Sequence, residues 1–376
     1  MKNYLDCEEL NVKIFLFEIK KILHAKAFTI FILLTVLFIC GLYTRNVLQQ
    51  DMISATKVQQ FSEHRGNVFQ EIERNRQELE TASDPEAENK LNAALNLYDE
   101  ITELIQAVQD KKWEVELATE IKVYQSAIAY QDMNGNFRQS KADMLDTISL
   151  NEELLKEGLP KEGLNLSIQT SLFMKNVVAL LLNPFGFLVL LLILGTSITR
   201  EFEEKNIQMV YVLPLSRHYY LMNKFVSFFV LGVLWMSIVF LTSFLLPYLF
   251  TDNMENGFSY PLATTEGNFL TSGNYLREAF SYSFVYMIFS VALITLTGFL
   301  VRNTIISYLL IIFLHIGNYI VLVNDFVYQV NPFTYGMIDL AVLNDKTKVF
   351  FGGSLLLGVS IILILVAIYM SKRRGT

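Results

Sequence analysis

REFEEKNIQMVYVLPLSRHYYLMNK, residues 200–224, is a charged, proline-interrupted stretch between two apolar runs at 185–198 and 226–250. A helix needs about 20 predominantly apolar residues to cross the hydrocarbon core of a bilayer, so the flanking runs read as membrane helices and the stretch as the turn between them. Arg200, Glu201, Glu203, Glu204 and Lys205 lead the chain out of the bilayer, and 207–213 is again apolar. Pro214 stops helical hydrogen bonding, Ser216 suits a helix N-cap, and Arg217 to Lys224 begins the next rising helix. The expected product is a short helix packed under the membrane with a tight turn after it, a shape able to transmit rigid-body motion.

Working outward, the chain has 52 % hydrophobic, 13 % aromatic and only 18 % charged residues, which fits an integral membrane protein. Six apolar runs lie at 27–43, 185–198, 226–250, 280–301, 305–323 and 351–370. Lys20, Lys21, Lys26, Arg200, Lys205, Arg217, Lys224, Arg302, Lys372, Arg373 and Arg374 cluster at alternate ends of these runs. By the positive-inside rule this places both termini in the cytoplasm of a multi-pass protein of the cell membrane. Run 27–43 is followed by no small-residue cleavage site and reads as a retained anchor. Asn183 and Pro184 predict a bent start to the second span.

Residues 44–173 are a different material. They hold 13 Lys and Arg against 23 Asp and Glu, so the acidity of the protein is concentrated in this segment, which the topology places outside the cell. Apolar positions recur at helical spacing, as in Val58, Phe61, Val68, Ile72 and Leu79, and predict a bundle of about four helices. Breaks are expected at Ser83-Asp84-Pro85, Asn134-Gly135-Asn136 and Gly158-Leu159-Pro160. Residues 164–182 are amphipathic and are expected to lie along the outer interface.

The N-terminal stretch 11–26 is basic and amphipathic, suited to the cytoplasmic headgroup region. Cys7 and Cys40 are not placed for an external disulfide, and the scattered His24, His64, His218 and His315 do not make a metal site. His315 and Asn318 in the fifth run read as partners in hydrogen bonds between helices. The chain contains no G-x-x-x-x-G-K-[S/T] phosphate loop.

In order around the spans, these features resemble the membrane subunit of an ABC-2 type exporter. That family carries a Glu-x-Gly pattern, a short apolar helix, a Pro-x-Ser-Arg turn and a Lys at the base of the next span. The matching residues here are Glu204, Asn206, Pro214, Ser216, Arg217 and Lys224, with Asn206 standing where Gly is usual. Asn is the next residue best able to take a left-handed conformation. Glu18, Lys20 and Lys21 fall in a segment similar to the family's elbow helix, and Asn331-Pro332-Phe333 fits its outer re-entrant segment, here 324–348. The resemblance covers about 240 residues, all but the insertion.

The resemblance fits an all-α membrane protein with six transmembrane helices, a cytoplasmic tail and interfacial elbow helix over 1–26 and a first span at 27–43; the extracytoplasmic helical domain over 44–173 is read from its own residues. Spans two to six follow in 174–376 with the coupling loop at 200–224. It further implies a second permease subunit, identical or different, and a separate cytoplasmic ABC ATPase that binds ATP and Mg, leaving this chain without catalytic or cofactor residues. The bilayer is its other partner, and no nucleic acid is expected. An apolar, aromatic interior without paired midplane charges suits export of an amphipathic or hydrophobic substrate such as an antimicrobial peptide, a lipid-like compound or a drug. The competing reading is a sensing or resistance scaffold whose acidic outer domain captures a cationic peptide. An ion-coupled carrier would show inverted repeats and midplane charges, and a membrane-embedded enzyme would show a nucleophile, metal cluster or acid pair at membrane depth.

Overall fold

The computed structural model describes residues 2–81, 85–208, 216–251, 257–265, 267–324, 329–344 and 349–373. In chain order the helices are α1 (Lys2–His24), α2 (Ala27–Leu48), α3 (Gln50–Thr81), α4 (Pro85–Gln109), α5 (Trp113–Asp132), α6 (Lys141–Glu157), α7 (Thr170–Leu181), α8 (Pro184–Glu203) and α9 (Arg217–Phe250). A two-stranded antiparallel ribbon follows, β1 (Pro261–Ala263) against β2 (Phe269–Thr271), with Leu262 opposite Leu270. Then come α10 (Ser272–Val301), α11 (Thr304–Val323), a 3₁₀ turn at Pro332–Gly336, α12 (Ile338–Leu343) and α13 (Val349–Arg373). Apart from the ribbon, the fold among the described residues is all-α.

Among the described residues, five helices are long and apolar enough to cross a membrane: Ala27–Leu48, Pro184–Glu203, Arg217–Phe250, Ser272–Val301 and Phe350–Lys372. The remaining expected run falls in α11, where Thr304–Ile320 counts as a shorter apolar helix. At 1.5 Å per residue its rise is about 25 Å, a little under the ~30 Å hydrocarbon core. Several helices outrun their apolar stretches, because polar ends such as Arg217–Lys224 and Ser272–Arg277 continue the same hydrogen-bond ladder.

The apolar helices share one core. Phe187 on α8 meets Tyr286 of α10 edge-on at 4.7 Å and Trp235 of α9 at 5.9 Å, geometries that the aromatic quadrupole favours. The indole Nε1–H of Trp235 also donates to Thr35 Oγ1 on α2 at 3.3 Å.

Helices α3 to α6 stack in sequence and enclose a second core containing Val68, Leu97, Ile101, Leu104, Tyr130 and Met144. The turn at Asn134 takes a positive φ of 58°, and α6 ends at Gly158 with φ 68°. Residues 82–84 of the first expected break lie outside the described residues. At the start of α6 the Ser140 side chain accepts a hydrogen bond from the backbone of Asp143 at 3.1 Å. Ser140→Ala should therefore cost about 1 kcal/mol, read as roughly fivefold faster hydrogen exchange in the first turn of α6 with the apolar bundle unaffected.

The strand of chain leaving the insertion is stitched to the strand that enters it. Fully buried Asn46 donates to Ser167 O at 3.1 Å, Gln50 to Leu166 O at 2.8 Å and Arg45 to Asn165 O at 3.1 Å. Beyond these ties α7 does not lie along a surface. Leu172, Phe173, Val177 and Val178 are buried, and the helix packs on α9 and α10. This corrects the interfacial reading of 164–182, because the polar face, including Asn176, is itself covered: Asn176 donates to Asn165 O at 3.0 Å.

In the 324–348 segment, residues 325–328 and 345–348 lie outside the described residues, while Phe333 of the 3₁₀ turn meets Phe289 of α10 edge-on at 5.3 Å and α12 packs against α10. Asn331 caps the turn by accepting from Phe333 N at 3.1 Å and donates to Asn318 Oδ1 at 2.7 Å. Asn318 thus bonds to the segment after its helix.

Candidate functional site: a buried charge cluster at the meeting of three helices

Helix α1 presents Glu18 and Lys21, α8 presents Ser197 and Glu201, and α9 presents Tyr220 and Lys224. Spacings of three or four residues put each pair on one helix face. The three faces meet. Lys224, although a lysine, is 0 % exposed; its Nζ lies 2.5 Å from Glu18 Oε2, 2.6 Å from Glu201 Oε1 and 3.3 Å from Ser197 Oγ. An ammonium has three donors, and all three are in use. Lys21 pairs with the same Glu201 oxygen, and the Tyr220 hydroxyl donates to the other.

Two carboxylates and two ammoniums leave the cluster neutral. Burying an ion costs several kcal/mol even after relaxation, and attraction offsets this only where geometry is close and the remaining donors and acceptors are filled. Glu18 at 3 % exposure and Glu201 at 5 % meet that condition through Lys224. Such a cluster resists partial separation, so it fixes α1 to α8 and α9 and can carry a displacement of one helix to the others.

The rest of the 200–208 stretch is anchored residue by residue. Glu203 accepts from Thr304 N at 2.7 Å and from Thr304 Oγ1 at 2.9 Å, which binds the end of α8 to the start of α11. Phe202 packs edge-on against Phe299 at 5.5 Å, with the Arg302 guanidinium 5.3 Å from its ring. A cleft of about 180 Å³ bordered by Lys21, Phe28, Arg200 and Glu204 opens beside the cluster; it falls below the ~300 Å³ at which small-molecule sites begin.

Of the residues expected from the sequence, Glu18, Lys21 and Lys224 are brought together. Lys20 is exposed, one position from the cluster face, and its carbonyl lies 2.9 Å from His24 Nδ1. Glu204 and Asn206 are exposed and bonded to each other, Nδ2 to Oε2, at 2.9 Å. The left-handed residue in this turn is Lys205, with φ 57°, so Asn206 does not replace a glycine conformationally. Ser216 is the N-cap of α9 by backbone, yet its hydroxyl makes no cap bond and sits 3.4 Å from His218 Nε2. Arg217 opens α9, half-buried. Pro214 and residues 209–213 of the expected short helix lie outside the described residues. Glu201, the hub of the cluster, was not singled out by the sequence. The signal that would have found it is its place four residues after Ser197, on the face of α8 that also carries buried Leu190 and Leu194.

A family model described as ABC-2 family transporter protein matches residues 12–371. The match spans the insertion as well as the apolar helices, so it is wider than the 240 residues that carry the motifs. No curated protein and no solved structure matches this chain.

Proposed function

We propose, from the premise that this chain belongs to the ABC-2 transporter family, that it is the membrane subunit of an ATP-driven exporter. In this reading α11 is the fifth of six spans, both termini face the cytoplasm and 44–173 lies outside. A separate ABC ATPase binds ATP and Mg and receives the 200–224 loop, through Glu204, Asn206, Pro214, Ser216 and Arg217. A second permease subunit completes the pathway, and the cargo is amphipathic or hydrophobic.

The observation that carries the reading is the Glu18–Lys224–Glu201–Lys21 cluster. Both ends of the expected coupling loop are held by it, Glu201 at the start and Lys224 at the finish, and α1 is clamped to both. A push on the loop cannot be absorbed locally, because separating these ions exposes unpaired buried charge. It must instead move α1, α8 and α9 as a body.

The test is reconstitution of the full chain with its ATPase in lipid nanodiscs. Charge reversal at exposed Glu204, or replacement of Arg217 by Glu, should lower transport-coupled ATP hydrolysis about fivefold, since an interfacial charge contact is worth about 1 kcal/mol. Membrane insertion and the melting temperature should stay as in the native protein. Full coupling in both variants would exclude the loop as the docking element.

A further inference from the structure

Helices α3 and α5 and the 161–166 loop enclose a cavity of about 580 Å³ at the base of the insertion. That is within the ~300–1,000 Å³ usual for small-molecule sites. Its wall carries two lysines, each committed to a carboxylate: Lys57 to Glu116 at 2.6 Å and Lys161 to Glu120 at 2.8 Å. Glu120 is further held by Asn151 at 2.8 Å. Glu162 is different. Among the described residues it has no cation within salt-bridge distance and accepts only from neutral groups, including Ser167 Oγ at 3.1 Å. Burial pushes its carboxyl above the usual range, against the hydrogen bonds from Ser167 and Gln169 and the field of Lys57.

Another residue bordering the cavity carries an unpaired acceptor. Gln139 lines the cavity, and its Oε1 is buried without a hydrogen-bond partner. A buried acceptor calls for a donor. Glu162 calls in addition for positive charge. The apolar part of the wall is formed by Met52, Ile53, Phe61, Leu164 and Leu166, beside the neutral polar residues Gln49, Thr56, Gln60, Tyr124, Thr147 and Asn165.

We propose that this cavity binds a cationic amphiphile, its ammonium or guanidinium group on Glu162 and its apolar body against Ile53, Phe61 and Leu166. The cation comes either from a free amine or from a basic side chain of a peptide. The site stands independently of whether the 200–224 loop docks an ATPase, since it shares no residue with the charge cluster.

The experiment is calorimetric titration of the full-length protein in nanodiscs with phenylbutylamine, its neutral isostere phenylbutanol, and the peptide acetyl-Phe-Leu-Lys-Leu-amide. The amine is expected to bind at least about tenfold more tightly than the alcohol, a difference of about 1.4 kcal/mol. Glu162→Gln should bring the amine down to the level of the alcohol. Leu164→Trp, at a position 41 % exposed where a larger ring can fill the mouth without touching a charge, should abolish binding of both. Peptide that competes with the amine identifies a basic side chain as the source; amine binding without peptide binding identifies a free amine. Equal affinity for amine and alcohol, or full amine affinity in Glu162→Gln, overturns the proposal. So does the absence of binding by both cationic probes. Should Glu162→Gln fail to fold, the amine-to-alcohol ratio and Leu164→Trp still decide.

Discussion

Lys224→Met is expected to destabilise the protein by about 3–5 kcal/mol, the usual cost of removing one partner from a buried ion pair. Methionine matches the lysine stem in shape, so the loss isolates the charge. Glu201 keeps Lys21, whose side chain is 39 % exposed, but Glu18 at 3 % exposure is left without a cation among the described residues. The comparison is the triple variant Glu18→Gln, Lys224→Met, Glu201→Gln. It removes the cluster's three buried charges at once, leaves Lys21 free to reach water, and should recover part of the lost stability, because breaking a buried ion pair by removing one partner leaves an uncompensated charge that removing the whole cluster does not. Coupling should not recover, since amide contacts separate far more easily than ions and no longer force α1, α8 and α9 to move together. Melting temperature in nanodiscs reads the first effect and transport-coupled ATP hydrolysis the second. A single variant that melts with the native protein would show that water already reaches Lys224.

What the sequence disclosed divides along a physical line. Apolar length and periodicity are local, and they located α2, α8, α9, α10 and α13 and the helical content of the insertion. Charge type and order were local too, which is why Glu18, Lys21 and Lys224 stood out before their partners were known. Pairing is not local. Lys224 and Glu18 are 206 residues apart, and nothing in either segment specifies the other. Glu201 does not stand out in the sequence because five charges in six residues read as a solvated exit from the bilayer, whereas the structure sends Glu201 inward, Glu203 to Thr304 and Glu204 outward. The left-handed position of the turn is not local either: propensity favours Asn for positive φ, but the end of α8 sets the position, and it falls on Lys205. Amphipathicity misleads at α7, where Asn176 on the polar face meets the loop carbonyl of Asn165.

Gly186→Ala should be comparably severe, at about 3 kcal/mol or more, and its cause is a close approach of backbone to backbone. Helix α7 ends at Leu181 and α8 begins at Pro184. Asn183 makes so short a junction possible: its side-chain oxygen accepts from Phe185 N and Gly186 N, each at 3.0 Å, and its amide donates to Leu180 O at 2.9 Å. The fold-back brings the Leu181 carbonyl against Gly186. A methyl group there would overlap the Leu181 oxygen and lie 3.0 Å from its carbonyl carbon. Overpacking against side chains typically costs about 1–3 kcal/mol because rotamers yield; a carbonyl fixed between two helices has no rotamer. The first turn of α8 must move, and with it Phe187, which is fully buried between Trp235 and Tyr286. Asn183→Ala is the milder control, losing the cap without a clash for about 1–2 kcal/mol. Glu201 lies 15 residues beyond Gly186 on the same helix, about 22 Å away, so displacement of one end of α8 reaches the charge cluster at the other. Thermal unfolding should rank Gly186→Ala below Asn183→Ala and both below the native protein, and coupled ATP hydrolysis should follow the same order. If Gly186→Ala instead retains native stability, the α7–α8 junction is looser than this geometry requires, and α8 cannot act as the rigid link between the aromatic core and the cluster.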